Sequence, residues 1–220
     1  MSQDAADRYV ENALRLVPGY HLMQRLAGLA LAEGAGDRAR ILVVGAGGGQ
    51  EVLTLAGMRS GWRFDGVDPS AEMLGAARAV LAPVTDRVTL IAGTVDAAPE
   101  GPYDGAAGLL VLHFLSLEER RHLLAQVHRR LRPGARLVVA HHSFPGPSPE
   151  RDRILARFAA FAMDQGMDAA QARGAAEGIG ARLPALPPET EVALLHEAGF
   201  AEVDLFFAAT SFRGWVARRV

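Results

Sequence analysis

The sequence holds no cysteine and no lysine, and all 23 of its basic residues are arginine. Without cysteine there can be no disulfide, no thiolate metal site and no cysteine nucleophile, and nothing points to an oxidising compartment. Without lysine, a phosphate loop ending in G-K-[ST] and Schiff-base chemistry are excluded. Net charge is also scarce. The formal value of −2 provides no sequence-wide pull toward nucleic acid or an acidic membrane. Long hydrophobic runs are missing as well: Asp4, Asp7, Arg8, Glu11 and Arg15 interrupt the first stretch, and no apolar run approaches the roughly 20 residues of a membrane span. These absences predict a soluble, cytoplasmic chain with no nucleic-acid or membrane partner. Hydrophobic residues are plentiful, at 50% of 220. That is enough for one substantial core, and a single domain over 1–220 is expected.

From residue 40 onward, short β-branched or Leu-rich runs alternate with helical patterns, the mark of βαβ units and a parallel sheet. Strands are predicted over 40–44, 62–67, 88–92, 105–112 and 136–142, with helices over 51–57, 71–81 and 117–131. The last helix opens on the capping box Ser116-x-x-Glu119 and is stopped by Arg132-Pro133-Gly134. Its arginines, Arg120, Arg121, Arg129, Arg130 and Arg132, read as a solvated face. Near the C-terminus, 202–208 and 212–217 read as a hairpin turning at Ala209-Thr210-Ser211, which makes one sheet edge antiparallel. Residues 4–31 and 149–198 are mainly helical. Gly166, Gly174, Gly178, Gly180 and the turn 183–188 interrupt the second stretch, which is placed to form a lid over the carboxyl ends of the strands.

The apolar run Ile41-Leu42-Val43-Val44 leads into Gly45-Ala46-Gly47-Gly48-Gly49 and then a helix. Glycine is needed where a chain turns sharply and a ligand approaches the backbone. A dinucleotide loop wants Gly or Ala at the sixth position, which here is Gln50. The second strand ends at Asp68, about 20 residues on, where a carboxylate either holds a ribose or caps the helix after Pro69-Ser70. The third strand runs into Gly93-Thr94-Val95-Asp96, where Asp96 is either an adenine contact or a turn residue.

Together these elements resemble the class I S-adenosylmethionine-dependent methyltransferases over about 40–140. The resemblance implies a three-layer Rossmann-like α/β fold. Its mostly parallel seven-stranded sheet has an antiparallel C-terminal strand, with helical N-terminal and post-strand-five lid segments. It implies S-adenosylmethionine as cofactor, held by Gly45, Ala46, Gly47 and Gly49, by Asp68 with Pro69, and by Val95 and Asp96. Leu131-Arg132-Pro133-Gly134-Ala135 is similar to the family's signal before the fifth strand, and Phe212-Arg213-Gly214-Trp215 fits its last strand. Many members carry an acid two residues before the first glycine to hold the donor's amino group. Here that position is Val43, which leaves backbone carbonyls, or Glu51 through water, to do so. A further resemblance, to carboxy-S-adenosylmethionine synthases and their methyltransferase relatives, rests on Val17-Pro18-Gly19-Tyr20 and on Arg173. It implies donor contacts by Tyr20 and Arg173; Arg173 is expected to point inward and, in the alternative that the chain is a carboxy-S-adenosylmethionine synthase-like enzyme, to pair with the added carboxylate of the donor. The chain then divides into an N-terminal helical segment (1–38), a donor-binding core (39–143), a lid (144–198) and a hairpin (199–220).

His113, His141 and His142 follow the fourth and fifth strands. His113 and His141 are candidate catalytic bases at the edge where an acceptor would lie; the alternative is a hydrogen-bonded loop histidine. Neighbouring side chains on a strand face opposite ways, so His141 and His142 do not share a metal, and no metal site is expected. The fourth strand ends in Leu112-His113-Phe114-Leu115 rather than the [ND]-P-P-[YF] loop of base methylases, which favours a small-molecule acceptor. The competing readings are a nicotinamide-dependent oxidoreductase and a non-catalytic donor-binding protein.

Overall fold

The computed structural model describes residues 11–220, so 4–10 of the first expected helical stretch lie outside the described residues. Residues 11–16 are helical, and Gly19, at φ 69°, turns the chain into α1 (Tyr20–Ala32). There follow β1 (Arg40–Val44), α2 (Gln50–Met58), β2 (Arg63–Asp68), α3 (Ala71–Val80), β3 (Val88–Ala92), β4 (Tyr103–Leu109) and α4 (Leu117–Arg130). Then come β5 (Leu131–His142), α5 (Pro149–Asp164), α6 (Ala169–Arg182), α7 (Pro188–Glu197), β6 (Phe200–Ala209) and β7 (Phe212–Arg219).

The sheet has the order β3-β2-β1-β4-β5-β7-β6. The first five strands are parallel, while β7 lies antiparallel between β5 and β6. The outermost strand, β6, therefore runs with the majority. Successive residues of β1 face opposite layers. Ile41 and Val43 pack with Met23, Leu55, Trp62 and Phe158, while Leu42 and Val44 pack with Leu123, Val127, Leu195 and Trp215. Helices α1 to α3, α5 and α6 cover one face, and α4 and α7 cover the other. Strands buried on both faces explain why β1 reads as a continuous apolar run. The strand order reverses between β1 and β4, the point where open α/β sheets bind ligands at their carboxyl ends.

Several expectations are corrected. The fourth strand stops at Leu109, three residues early, because Leu110 enters the left-handed region at φ 62° and a short 3₁₀ turn (Leu112–Phe114) follows. Strand β5 begins at Leu131, directly after α4, so Arg132-Pro133-Gly134 sits in the strand as an irregularity in its pairing with β4. Gly166, at φ 84°, does end α5, but Gly174, Gly178 and Gly180 lie within an unbroken α6 capped by Asp168. Close packing explains at least one of them, since a Cβ on Gly180 would stand 2.7 Å from Leu155.

The solvated arginine face is the largest correction. Arg120 and Arg130 are among the most buried side chains of the protein. Arg120 pairs with Glu191 of α7 and donates to the Leu115 carbonyl (3.1 Å) and to the Pro184 carbonyl. Arg130 donates to the Ala98 and Asp96 carbonyls and to Gln126. A guanidinium can be buried when each fork finds an oxygen. Among the described residues no helix is long and apolar enough to cross a membrane.

Candidate functional site

After β1 the chain passes through Gly45, Gly47 and Gly49 at φ 72°, 34° and 81°, a left-handed path that other residues resist. The loop is tied to β2. Gly45 and Ala46 donate their N–H groups to the Val67 carbonyl at 2.8 and 3.0 Å, and Gly47 donates to Asp68 Oδ2 at 3.0 Å. The second oxygen of Asp68 accepts from Ser70 N–H at 2.8 Å. It is Ser70, not Asp68, whose side chain caps α3 by accepting from Met73 N–H. The capping alternative for Asp68 is therefore set aside; its half-buried carboxylate organises the glycine loop.

Two cavities meet at Gly45. The first, of about 400 Å³, is lined by Pro69, Val95, Asp96, Val111, Leu115 and His122 as well as Gly45. Val95 is buried at its floor. On its rim His122 Nε2 lies 2.9 and 3.0 Å from the two oxygens of Asp96, and that contact holds the Asp96 carboxyl below its usual range. The second cavity is small, about 20 Å³, and is lined by Tyr20, Gln24, Ala46, Gly49, Glu51 and Leu110 together with Gly45. Gln24 accepts from Thr54 Oγ1 at 2.7 Å, fixing α1 against α2. Glu51 is 8% exposed. Its burial raises the carboxyl pKa to about 8, partly opposed by the Leu109 backbone, and among the described residues its Oε1 has no hydrogen-bond partner. At the junction, a Cβ on Gly45 would stand 2.2 Å from Val111 Cγ2, so only glycine lets Val111 lie over the loop.

A methyltransferase domain family matches residues 42–137, from β1 into β5. The carboxy-S-adenosyl-L-methionine synthase of Chromohalobacter salexigens is 29% identical over 92% of this chain and 77% of its own. A ubiquinone/menaquinone biosynthesis C-methyltransferase of Syntrophotalea carbinolica is 32% identical over 60% of each chain. Among solved structures, human N-acetylserotonin methyltransferase in complex with S-adenosylmethionine superposes with a TM-score of 0.65 at 16% identity, over 99% of this chain and 56% of that one. The chain thus spans little more than half the length of that neighbour. The family match over 42–137 and the curated relatives support a class I S-adenosylmethionine-dependent methyltransferase.

Of the expected donor contacts, Tyr20, Gly45, Ala46, Gly49, Pro69, Val95 and Asp96 line the two cavities, while Gly47 and Asp68 line neither and are bonded to each other beside them. Arg173 does not. Expected to point inward, it is exposed and lines a separate groove between α5 and α6 with Arg151, Leu155 and Glu177. The glycines that were read as interruptions lie within a continuous α6, which presents Ala172 and Ala176 to the core instead.

The two candidate bases are also placed elsewhere. His113 is buried, and its Nδ1 accepts the backbone N–H of His142 at 3.2 Å. Burial lowers its pKa well below the usual value, so the neutral ring carries its proton on Nε2 and has no free lone pair with which to act as a base. His141 is fully buried on the α4 and α7 side. Its Nε2 is 3.1 Å from Glu191, but off the line of a hydrogen bond, so neither ring nitrogen has a hydrogen-bond partner among the described residues. His142 faces the opposite layer, stacked on Phe212, as strand alternation requires. These histidines belong to the packing around the end of β5.

Sequence reasoning missed Val111, Leu115, His122 and Gln24 as lining residues. The only available signal was position: Val111 and Leu115 follow β4 at the strand-order reversal. For His122 there was none, because its partner Asp96 is 26 residues away.

Proposed function

We propose that this chain transfers a methyl group from S-adenosylmethionine to a small-molecule acceptor. The carrying observation is the pair of cavities joined at Gly45, with a carboxylate on each side. One side suits a nucleoside: Asp68, at the end of β2, takes the ribose hydroxyls with the lone pairs that its bonds to the Gly47 and Ser70 N–H groups leave free, and Val95 with Asp96 borders the adenine. The other side, under Tyr20, suits the amino-acid end. The fit is supported by the glycine path, on which a Cβ at Gly47 would lie against the Gly45 carbonyl, Asp68 and Met73 at 3.5–3.6 Å, so the missing side chain leaves that surface to a ligand. When bound, S-adenosylmethionine supplies an electrophilic methyl carbon that an acceptor lone pair displaces from sulfur.

The protein's part is to orient and desolvate, which in-line transfer needs more than a nucleophilic side chain. Val111 and Leu110 close over the loop, and α1 shields the small cavity. The ordinary donor is favoured over a carboxylated one because the arginine expected to bind the added carboxylate, Arg173, lies in the groove between α5 and α6. Calorimetric titration with S-adenosylhomocysteine and NAD, followed by a labelled-methyl acceptor screen, tests this reading. Micromolar S-adenosylhomocysteine binding and transfer to small molecules are expected. Binding of NAD without S-adenosylhomocysteine would overturn it, and tighter binding of the carboxylated donor would replace the ordinary one.

A further inference from the structure

Glu51 is a strange residue to find where it is. It sits in the first turn of α2 with 8% of its surface exposed, lining the smaller cavity beside Gly49 and Tyr20. One carboxyl oxygen has no hydrogen-bond partner among the described residues. An unsatisfied buried carboxyl is costly unless a ligand completes it. The side chains lining that cavity offer no cation, and Tyr20 is its one other titratable group. Asp68, at the end of β2, is committed to the Gly47 and Ser70 N–H groups. His21 and Arg25 of α1 open onto a different groove with Leu53 and Gly57. The charge missing from this pocket is positive.

We propose that Glu51 holds the primary ammonium of the donor's amino-acid end directly, supplying from the start of α2 the negative charge that Val43 cannot supply from β1. This inference rests on the proposed binding of S-adenosylmethionine. It carries a consequence for protons. In the empty protein the Glu51 carboxyl, with its pKa near 8, keeps its proton at neutral pH. Pairing with an ammonium stabilises the carboxylate. The O–H bond of Glu51 breaks, its electron pair stays on the carboxylate and one proton leaves to solvent. Below pH 8, affinity for a ligand that stays cationic should rise by up to about tenfold per pH unit, because one proton is released per ligand bound. The apoprotein shows the same group from the other side. A carboxyl with a raised pKa gives its full stabilisation below its unfolded value of 4.5 and loses it as pH rises through about 8.

The test is calorimetry with two nucleosides that share adenosine and a thioether but differ at one end: S-adenosylhomocysteine, which has the amino-acid group, and methylthioadenosine, which lacks it. With wild-type protein at pH 7, in buffers of different ionisation enthalpy, S-adenosylhomocysteine should release about one proton and methylthioadenosine none. Glu51→Gln should bind S-adenosylhomocysteine at least about tenfold more weakly at pH 8, lose the pH dependence and bind methylthioadenosine as wild type does. The empty variant should also no longer lose thermal stability between pH 5 and 8. Wild-type affinity and proton release in Glu51→Gln would overturn the inference while leaving the donor reading intact. Failure of wild-type protein to bind either nucleoside would overturn the donor reading itself.

Discussion

On one side of Gly45 the protein leaves about 400 Å³ rimmed by exposed charged groups that pair with one another; on the other it leaves about 20 Å³ around a carboxyl that pairs with little. The first wall is assembled from loops and the start of α4, with Asp96 and His122 in contact with water. The second is assembled from two packed helices, with Gln24 and Thr54 bonded across them. The difference is one of dielectric. Water screens the His122 and Asp96 pair, so it contributes little. The same kind of charge on Glu51 has no such screening, so a single partner changes its protonation. On the proposed reading, a cleft built this way would recognise a nucleoside by shape and one hydroxyl-binding carboxylate, and an amino-acid end by charge.

Four substitutions sharpen or break that comparison. The largest effect is expected from Glu191→Ala, because it leaves the fully buried Arg120 without its carboxylate, and Arg120 also donates to the carbonyl of Leu115, which lines the larger cavity. A loss of about 3–5 kcal/mol is expected in urea unfolding; a loss below about 1 kcal/mol would show that the wall stands without the ion pair. Next is Gly47→Val, which forces a branched residue to φ 34° on a loop both cavities share. Binding of methylthioadenosine and S-adenosylhomocysteine should each weaken at least 100-fold, about 2.7 kcal/mol, in a protein that still folds. Loss of only one ligand would mean that the loop does not serve both sides.

Asp68→Ala should cost about 1.5–3 kcal/mol of binding, equally for the two nucleosides, since both carry the ribose. Unequal losses in titration would move Asp68 away from the ribose. The smallest effect belongs to His122→Ala, with nucleoside binding changing by about threefold or less, as for an exposed pair. Because His122 holds the Asp96 pKa down, its small contribution to stability is present above the usual carboxylate range and disappears as pH falls through the lowered folded value. Thermal scans of wild type and variant should therefore converge in acid; divergence there would contradict the assignment.

The order of strands and helices, the glycine loop with its left-handed turns, the capping box at Ser116 and the C-terminal hairpin were all legible in the sequence. Each is written in a few neighbouring residues, through periodicity, a cap or a φ that only glycine accepts readily. The gathering of Gly45, Asp68 and Asp96 was legible too, because a right-handed βαβ order brings successive strand ends to one edge. What lay beyond the sequence was the environment of each charge. Arg120 and Arg130 share an arginine-rich helix with Arg121 and Arg129, yet only the first two are buried. That choice was made by Glu191, 71 residues away, and by the carbonyls of Asp96 and Ala98. His113 looked like a base until the His142 N–H occupied its lone pair, and Arg173 looked inward until an unbroken α6 presented Ala172 and Ala176 to the core. Glu51 is a common residue at a helix start. Only the packing of α1 and β4 around it buries the carboxyl and leaves one oxygen without a partner among the described residues, because desolvation belongs to the assembled fold and not to any local run of residues.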